Sequence, residues 1–159
     1  MSGVMLRAVD VLREHGVPMV IIGGHAVIVH GHVRATQDID VVFMRSPDVE
    51  LALTTALKQL EAYWIGDEID SSTGLEKTYP VDLDYVRTRR LMMLGTNAGF
   101  LDLFDYVPGL PDASVNQLID DAIWVMGRRF ASLAWLRQMK VASARPQDLI
   151  DLENLPPVD

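Results

Sequence analysis

Residues 23–43 read GGHAVIVHGHVRATQDIDVVF, and the fold turns on how this stretch is taken. Two glycines close an apolar run at 19–22, and fourteen residues past Gly24 stand Asp38 and Asp40, with one residue between them. Asp40 leads straight into Val41-Val42-Phe43, a strand composition. Side chains at i and i+2 of a strand share a face, so the two carboxylates point the same way with backbones about 7 Å apart. Hard oxygen ligands in that arrangement suit a shared divalent cation. Upstream, Gly23-Gly24 sits where a strand turns into a short helix, and glycines there let a phosphate approach backbone N–H groups unhindered. Each feature alone has a plainer reading, a tight turn or an acidic strand edge. Together they make up the basic equipment of metal-assisted phosphoryl chemistry.

On the N-terminal side, residues 3–15 place Met5, Val9 and Leu12 on one helical face, with Gly16 to end the helix and Pro18 to prevent its continuation. Residues 17–22 form a continuous apolar run, as in a strand covered on both faces. Residues 25–30 read as a short buried helix stopped by Gly31. On the C-terminal side Ser46 is a good N-cap, Pro47 fits the first helical position, and Asp48 and Glu50 complement the dipole. That helix runs to residue 62 and buries Val49, Leu53, Ala56 and Leu60. Residues 64–86 are the least legible, with an acidic run (Asp67, Glu68, Asp70), a polar turn at 71–74, and a strand-like alternation in Val81-Asp82-Leu83-Asp84-Tyr85-Val86. Residues 89–94 and 100–106 flank Thr96-Asn97-Ala98-Gly99 as two antiparallel strands. A short helix at 114–121 follows, then strands at 122–125 and 128–131 around Met126-Gly127. Ser132 caps a helix over 133–142, and Pro146 opens another to residue 155. The expected organisation is one domain, 1–155, with a tail at 156–159 beginning Pro156-Pro157.

The totals bound the function. A length of 159 residues fits a single domain with a real core, and 49% hydrophobic against 23% charged residues describes a soluble globular chain. Zero cysteines exclude disulfides and thiolate metal sites, and suit a cytoplasmic setting. Arg7, Asp10, Arg13 and Glu14 interrupt any signal-peptide or membrane reading of the opening residues. A net charge of −8 argues against broad, charge-driven binding of nucleic acid, so a nucleic-acid substrate needs a local basic patch or a bridging metal. His25 and His30 are five apart on a helix, poor spacing for a shared metal, and with His32 are read as packing or substrate-side residues.

The Gly-Gly pair, the short helix and the Asp-x-Asp strand, joined by His30-Gly31-His32-Val33-Arg34-Ala35-Thr36, resemble the polymerase-beta nucleotidyltransferase superfamily. The minimal bacterial branch, which includes the nucleotidyltransferase toxins of abortive-infection systems, is the nearest in pattern. The resemblance implies an α+β fold with a nucleotidyltransferase-like mixed or antiparallel sheet and helices packed on one side. It implies transfer of a nucleoside monophosphate from a nucleoside triphosphate (NTP) to an acceptor hydroxyl, with Mg²⁺ or Mn²⁺ as cofactor. Asp38 and Asp40 become metal ligands and catalytic residues, with Gly23 and Gly24 on the triphosphate. Arg34 and Thr36 touch phosphate or brace the turn, Thr36 by capping backbone locally.

A third acid on a later strand completes such a site as metal ligand and general base. Asp102, in an apolar-Asp-apolar strand after a turn glycine, matches the family's hairpin, and Asp84 is the runner-up. Residues 130–140, followed by Ala144-Arg145-Pro146-Gln147-Asp148-Leu149, resemble the family's closing pattern. There Lys140 either reaches the triphosphate or is a solvated helix-end cation, and Arg145 with Asp148 forms a structural ion pair. Ala144 and Gln147 stand where the family more often has Gly and Lys, which weakens phosphate affinity at that corner. The acceptor stays open among tRNA, a protein hydroxyl and a small molecule. Toxin–antitoxin membership, with an antitoxin partner, is one role the resemblance carries; a catalytically inactive nucleotide-binding or interaction module of the same fold is the rival reading.

Overall fold

The apolar spacing near the N-terminus becomes α1 (Arg7–Glu14), which buries Ala8, Val9, Val11 and Leu12. The structure, a computed structural model, describes residues 6–158, so positions 3–5 of the expected helix lie outside the described residues. The following apolar run is β1 (Met19–Ile22), buried at every position, and α2 (Gly23–Val29) starts directly at the glycine pair. The Asp-x-Asp stretch is β2 (Asp38–Phe43). In α3 (Pro47–Gln59) the Ser46 hydroxyl accepts the N–H of Val49 at 3.2 Å, the cap its sequence predicts. Leu53, Ala56 and Leu60 are fully buried.

The chain then forms β3 (Tyr63–Ile69), β4 (Glu76–Pro80), α4 (Leu83–Thr88), β5 (Leu91–Thr96) and β6 (Gly99–Phe104). One expectation fails here. The alternation in residues 81–86 does not make a strand, because the Asp82 carboxylate accepts the N–H of Tyr85 at 2.8 Å and starts a helix instead. An aspartate ahead of a short amphipathic run serves as well for an N-cap as for a strand edge. The remainder follows the expected order, with α5 (Val115–Asp120), β7 (Ile123–Val125), β8 (Arg128–Phe130), α6 (Leu133–Ser143) and α7 (Pro146–Asn154). Beyond α7, Leu155 is buried and the Pro156 carbonyl accepts a bond from Arg137, so the chain is tethered one residue into the expected tail.

The fold is α+β, with the eight strands in one mixed sheet ordered β4-β3-β5-β6-β2-β1-β8-β7. β1 runs antiparallel to β2, β2 parallel to β6, and β6 antiparallel to β5. Alternation along the strands sorts side chains to two faces. Ile21, Ile39, Val41, Phe43, Leu101 and Leu103 join Leu12, Leu53 and Leu57 in the main core under α1 and α3. Val20, Ile22 and Val42 point the other way and meet Leu118, Ile119 and Met139 of α5 and α6 in a smaller cluster. Helices therefore cover chiefly one face, but not one side only: β1 is too apolar on both faces to be left half exposed. The second cover reaches β6 only at Phe104, and leaves Met93 of β5 and Phe100 of β6 exposed on the outer face. Among the described residues no helix is long and apolar enough to cross a membrane.

Candidate active site

The parallel pairing of β2 with β6 sets Asp40 directly opposite Asp102, and Asp38 opposite Phe100. Neighbouring strands lie about 4.8 Å apart, so Asp40 and Asp102 are the closest acids, with Asp38 one pleat away on the same face. Asp38 is exposed, while Asp40 and Asp102 are half-buried. Burial, then the charge and hydrogen bond of Asp102 and the charge of Asp38, push the Asp40 pKa up to about 7, against a smaller pull from Arg145. Burial and the Asp38 charge also raise Asp102, in part offset by its bond with Asp40. Asp40 and Asp102 are thus two neighbouring acids that resist being ionised together. Asp84, the alternative third acid, is exposed on α4 and lines none of the hollows that meet at these carboxylates.

Three such hollows converge on the acids. One of about 470 Å³ is walled by Gly23, Asp40, Met139, Lys140 and Arg145. One of about 520 Å³ is walled by Gly24, Arg34, Thr36, Lys140 and Arg145. The third, about 570 Å³, lies over the open sheet face and takes in Trp64, Arg89, Met93 and Phe100. Asp38 borders all three, Asp40 only the first two, and Asp102 the first and the third.

The glycine pair has a reason of its own in the packing. Gly23 has φ +67°, and a Cβ there would collide with the Asp40 carboxylate. A Cβ on Gly24 would lie 2.5 Å from Thr36 Oγ1. The space that glycine opens is thus filled by Asp40 and Thr36, so the pair is first a packing requirement of the acidic strand and its lead-in. The Thr36 hydroxyl donates to the Asp38 carbonyl at 3.4 Å, the local brace expected of it.

Behind the glycine turn, two buried acids gather the cations. Asp151 is bound by Arg34 through Nε at 2.8 Å and Nη2 at 3.0 Å, by Lys140 at 2.9 Å, and by Gln147 at 3.0 Å. Asp148 takes Lys140 at 3.1 Å and Arg145 Nε at 2.8 Å, and also accepts the Arg145 backbone N–H in a capping arrangement. Burial alone would raise both acids, but the bonds from Arg145 and Lys140 to Asp148, and from Arg34, Lys140 and Gln147 to Asp151, outweigh it and lower them.

Lys140 therefore departs from both sequence expectations. It is 6% exposed and held by two carboxylates, neither solvated nor extended toward a substrate, because α7 folds its acidic face back onto α6. Arg34 is likewise committed to Asp151. Arg145 forms its expected pair with Asp148 yet keeps a side chain 75% exposed, near enough for its field to act on Asp40. Sequence reading passed over Asp151 and undervalued Arg145. The signal was present in the i,i+3 spacing of Asp148 and Asp151, which puts both acids on one face of α7.

Three carboxylates are the donor set that magnesium or manganese prefers. Among the described residues, however, no three His, Cys, Asp or Glu side chains stand as a ready-made metal cage. Magnesium commonly takes one or two carboxylates and completes its shell with water and substrate phosphates, so this donor set fits without such a cage.

No family model matches the chain, and no curated protein matches it either. Among solved structures, it is similar to JHP933 from Helicobacter pylori at 17% identity and a TM-score of 0.47, covering 97% of this chain and 66% of that one. It is also similar to an H. pylori protein provisionally named a nucleotidyltransferase, at 15% identity and a TM-score of 0.40, covering 89% and 59%. The chain thus spans less than two thirds of the length of either.

Proposed function

We propose that the chain is a metal-dependent nucleotidyltransferase that moves a nucleoside monophosphate from an NTP to an acceptor hydroxyl. The observation that carries this reading is the register of β2 against β6, which sets Asp102 beside Asp40 with Asp38 on the same face, where three hollows meet. The donor triphosphate lies in the two hollows on the glycine side, near the exposed Arg145 guanidinium. Asp38 and Asp40 hold the divalent cation, with Asp102 beside them. Bound there, that cation would neutralise the triphosphate and the developing charge on the leaving group.

Asp102 is the general base, since it alone of the inner acids borders both the donor side and the open sheet face. Its raised pKa makes it a better proton acceptor than an ordinary carboxylate. The acceptor oxygen attacks the α-phosphorus and gives its proton to Asp102. An O–P bond forms, the bond between the α-phosphorus and the bridging oxygen breaks, and pyrophosphate leaves. Lys140, Arg34, Asp148 and Asp151 act behind this as a scaffold that fixes α7, and with it Arg145, against the glycine turn. An antitoxin partnership rests on the family resemblance alone.

The test is incubation of the chain with labelled NTPs, Mg²⁺ and cell extract, following label into RNA, protein and small molecules. Metal-dependent labelling lost in Asp102→Asn supports the reading. If no NTP is bound or consumed under any metal, the reading is wrong. NTP binding without turnover, unchanged by Asp102→Asn, gives the inactive binding module instead.

A further inference from the structure

The hollow over the open sheet face has a different chemistry from the two on the glycine side. Met93 lies directly across from Asp102 in the β5–β6 register, and Phe100 is two residues before Asp102 on the same face. Both are well exposed, at 63% and 53%, where a chain with this apolar content has ample core to hide them. At the rim, Trp64 stacks on Tyr85 with centroids 5.4 Å apart and planes 10° from parallel. The Arg89 guanidinium lies over both rings, 5.9 Å and 5.4 Å from their centroids. Among the described residues no carboxylate pairs with Arg89, so its charge is held in place by the rings and presented to the hollow. A guanidinium fixed that way is suited to bind an oxyanion through two parallel bonds.

Resting on the nucleotidyl-transfer reading above, we infer that this hollow is the acceptor subsite and that it takes a single nucleotide unit: base on Phe100 and Met93, phosphate on Arg89, ribose hydroxyl at Asp102. Each part of such a unit meets a matching surface. A flat ring stacks on Phe100 and gains sulfur contact from Met93. A phosphate satisfies Arg89, and a hydroxyl beside the ring reaches the carboxylate that Met93 faces. An apolar peptide would cover Phe100 and Met93 but leave Arg89 without an anion. A long polyanion laid across the sheet would meet Asp67, which lines the same hollow, and a chain of net charge −8. The chemistry therefore selects one nucleotide, either free or as the terminal residue of an RNA.

Binding is measured directly, with the full chain and no donor present, by tryptophan fluorescence titration of 5′-AMP, 5′-GMP, 5′-CMP and 5′-UMP. A second arm uses a short RNA ending in a 3′-hydroxyl. Phe100→Ala, which removes the stacking platform, and Arg89→Ala, which removes the cation that pairs with the phosphate, are each expected to weaken binding about tenfold or more. Arg145→Ala, on the glycine side, is expected to leave it unchanged. Saturable monophosphate binding identifies a free nucleotide, and binding of the RNA alone identifies its end. The inference is overturned if neither probe binds, or if binding responds to Arg145→Ala and not to Arg89→Ala. It is also overturned if label from the extract experiment settles on protein. Nucleotide binding that needs Arg89, in a chain that never transfers a nucleotide, keeps the ligand assignment and removes the transferase.

Discussion

Replacing Asp102 by Asn should make the protein far less active and, above neutral pH without metal, more stable. Asp40 beside it has a pKa pushed up to about 7 against an ordinary 3.8. A folded-state pKa above the unfolded value means that the folded chain holds the proton more tightly. Stability is therefore lost as pH rises from 3.8 through about 7 and stays at the lower level beyond. At 1.36 kcal/mol per unit the whole penalty is on the order of 4 kcal/mol. Burial is its largest cause and persists in the variant, so only the share owed to Asp102 is recovered, about 1–2 kcal/mol at pH 8. At pH 5 Asp40 is already protonated and the two proteins should differ by a fraction of that.

Urea melts of both proteins at pH 5 and pH 8, with chelator present, measure the difference. His25, whose pKa burial lowers, adds stability as pH rises and does so equally in both. Asp148 and Asp151, with lowered values, keep their full contribution across this range and lose it only in acid. Divalent cation should raise the wild-type midpoint at pH 8 more than the variant's, because it offsets the same repulsion. Turnover should fall about 10²–10⁴-fold, the usual worth of a general base. Equal stabilities at both pH values, or a variant weaker at pH 8, would sink the account of the carboxylate pair.

Gly24→Val, which a simple phosphate cradle would make a binding defect, should instead lower the melting temperature, since its side chain collides with Thr36; a normal melt with lost NTP affinity would contradict this. Ala144, at φ +48°, ends α6 in a left-handed conformation, so Ala144→Gly should stabilise by about 0.5–1 kcal/mol in denaturant titrations, with activity unchanged. Lys140→Met leaves Asp148 and Asp151 with one fewer cation each and should cost about 3 kcal/mol, read as a lower urea midpoint with residual NTP affinity in the fraction that stays folded.

Much of this was legible because the signals were local. Ser46-Pro47, Ser132 and Pro146 each begin a helix where their own chemistry places one, and Met126-Gly127 turns a hairpin with φ of +51° and +77°. The failures were of another kind. Asp82 offers the same alternation to a strand and to a helix cap, and only its bond to Tyr85 decides. The β3–β4 hairpin hides because the glycines that its tyrosines cover make sense only through those partners: the Tyr63 ring lies over Gly95 of β5, and Tyr79 over Gly66. Lys140 reads as a helix-end cation until α7 turns back over it. Resemblance selected Asp102, but the pairing that sets it against Asp40 is a long-range parallel register, which no local pattern encodes.

The way the chain distributes its charges argues for a site built to be completed from outside. Asp148 and Asp151 are more buried than Asp40 and Asp102, yet they are matched by Arg34, Lys140 and Arg145, so burying acids with partners is within this chain's means. Among the described residues no lysine, arginine or histidine makes an ion pair with Asp38, Asp40 or Asp102, and Arg145 reaches Asp40 only through its field. The strands themselves have no need of acids there. Val41 and Val42 follow Asp40, and Leu101 and Leu103 flank Asp102, so apolar residues fill these strands at no electrostatic cost. Strain of this kind persists where function uses it. On the proposed reading, a pair of carboxylates held against each other, with cations one helix away pinned elsewhere, gains from a divalent ion arriving with the donor's phosphates.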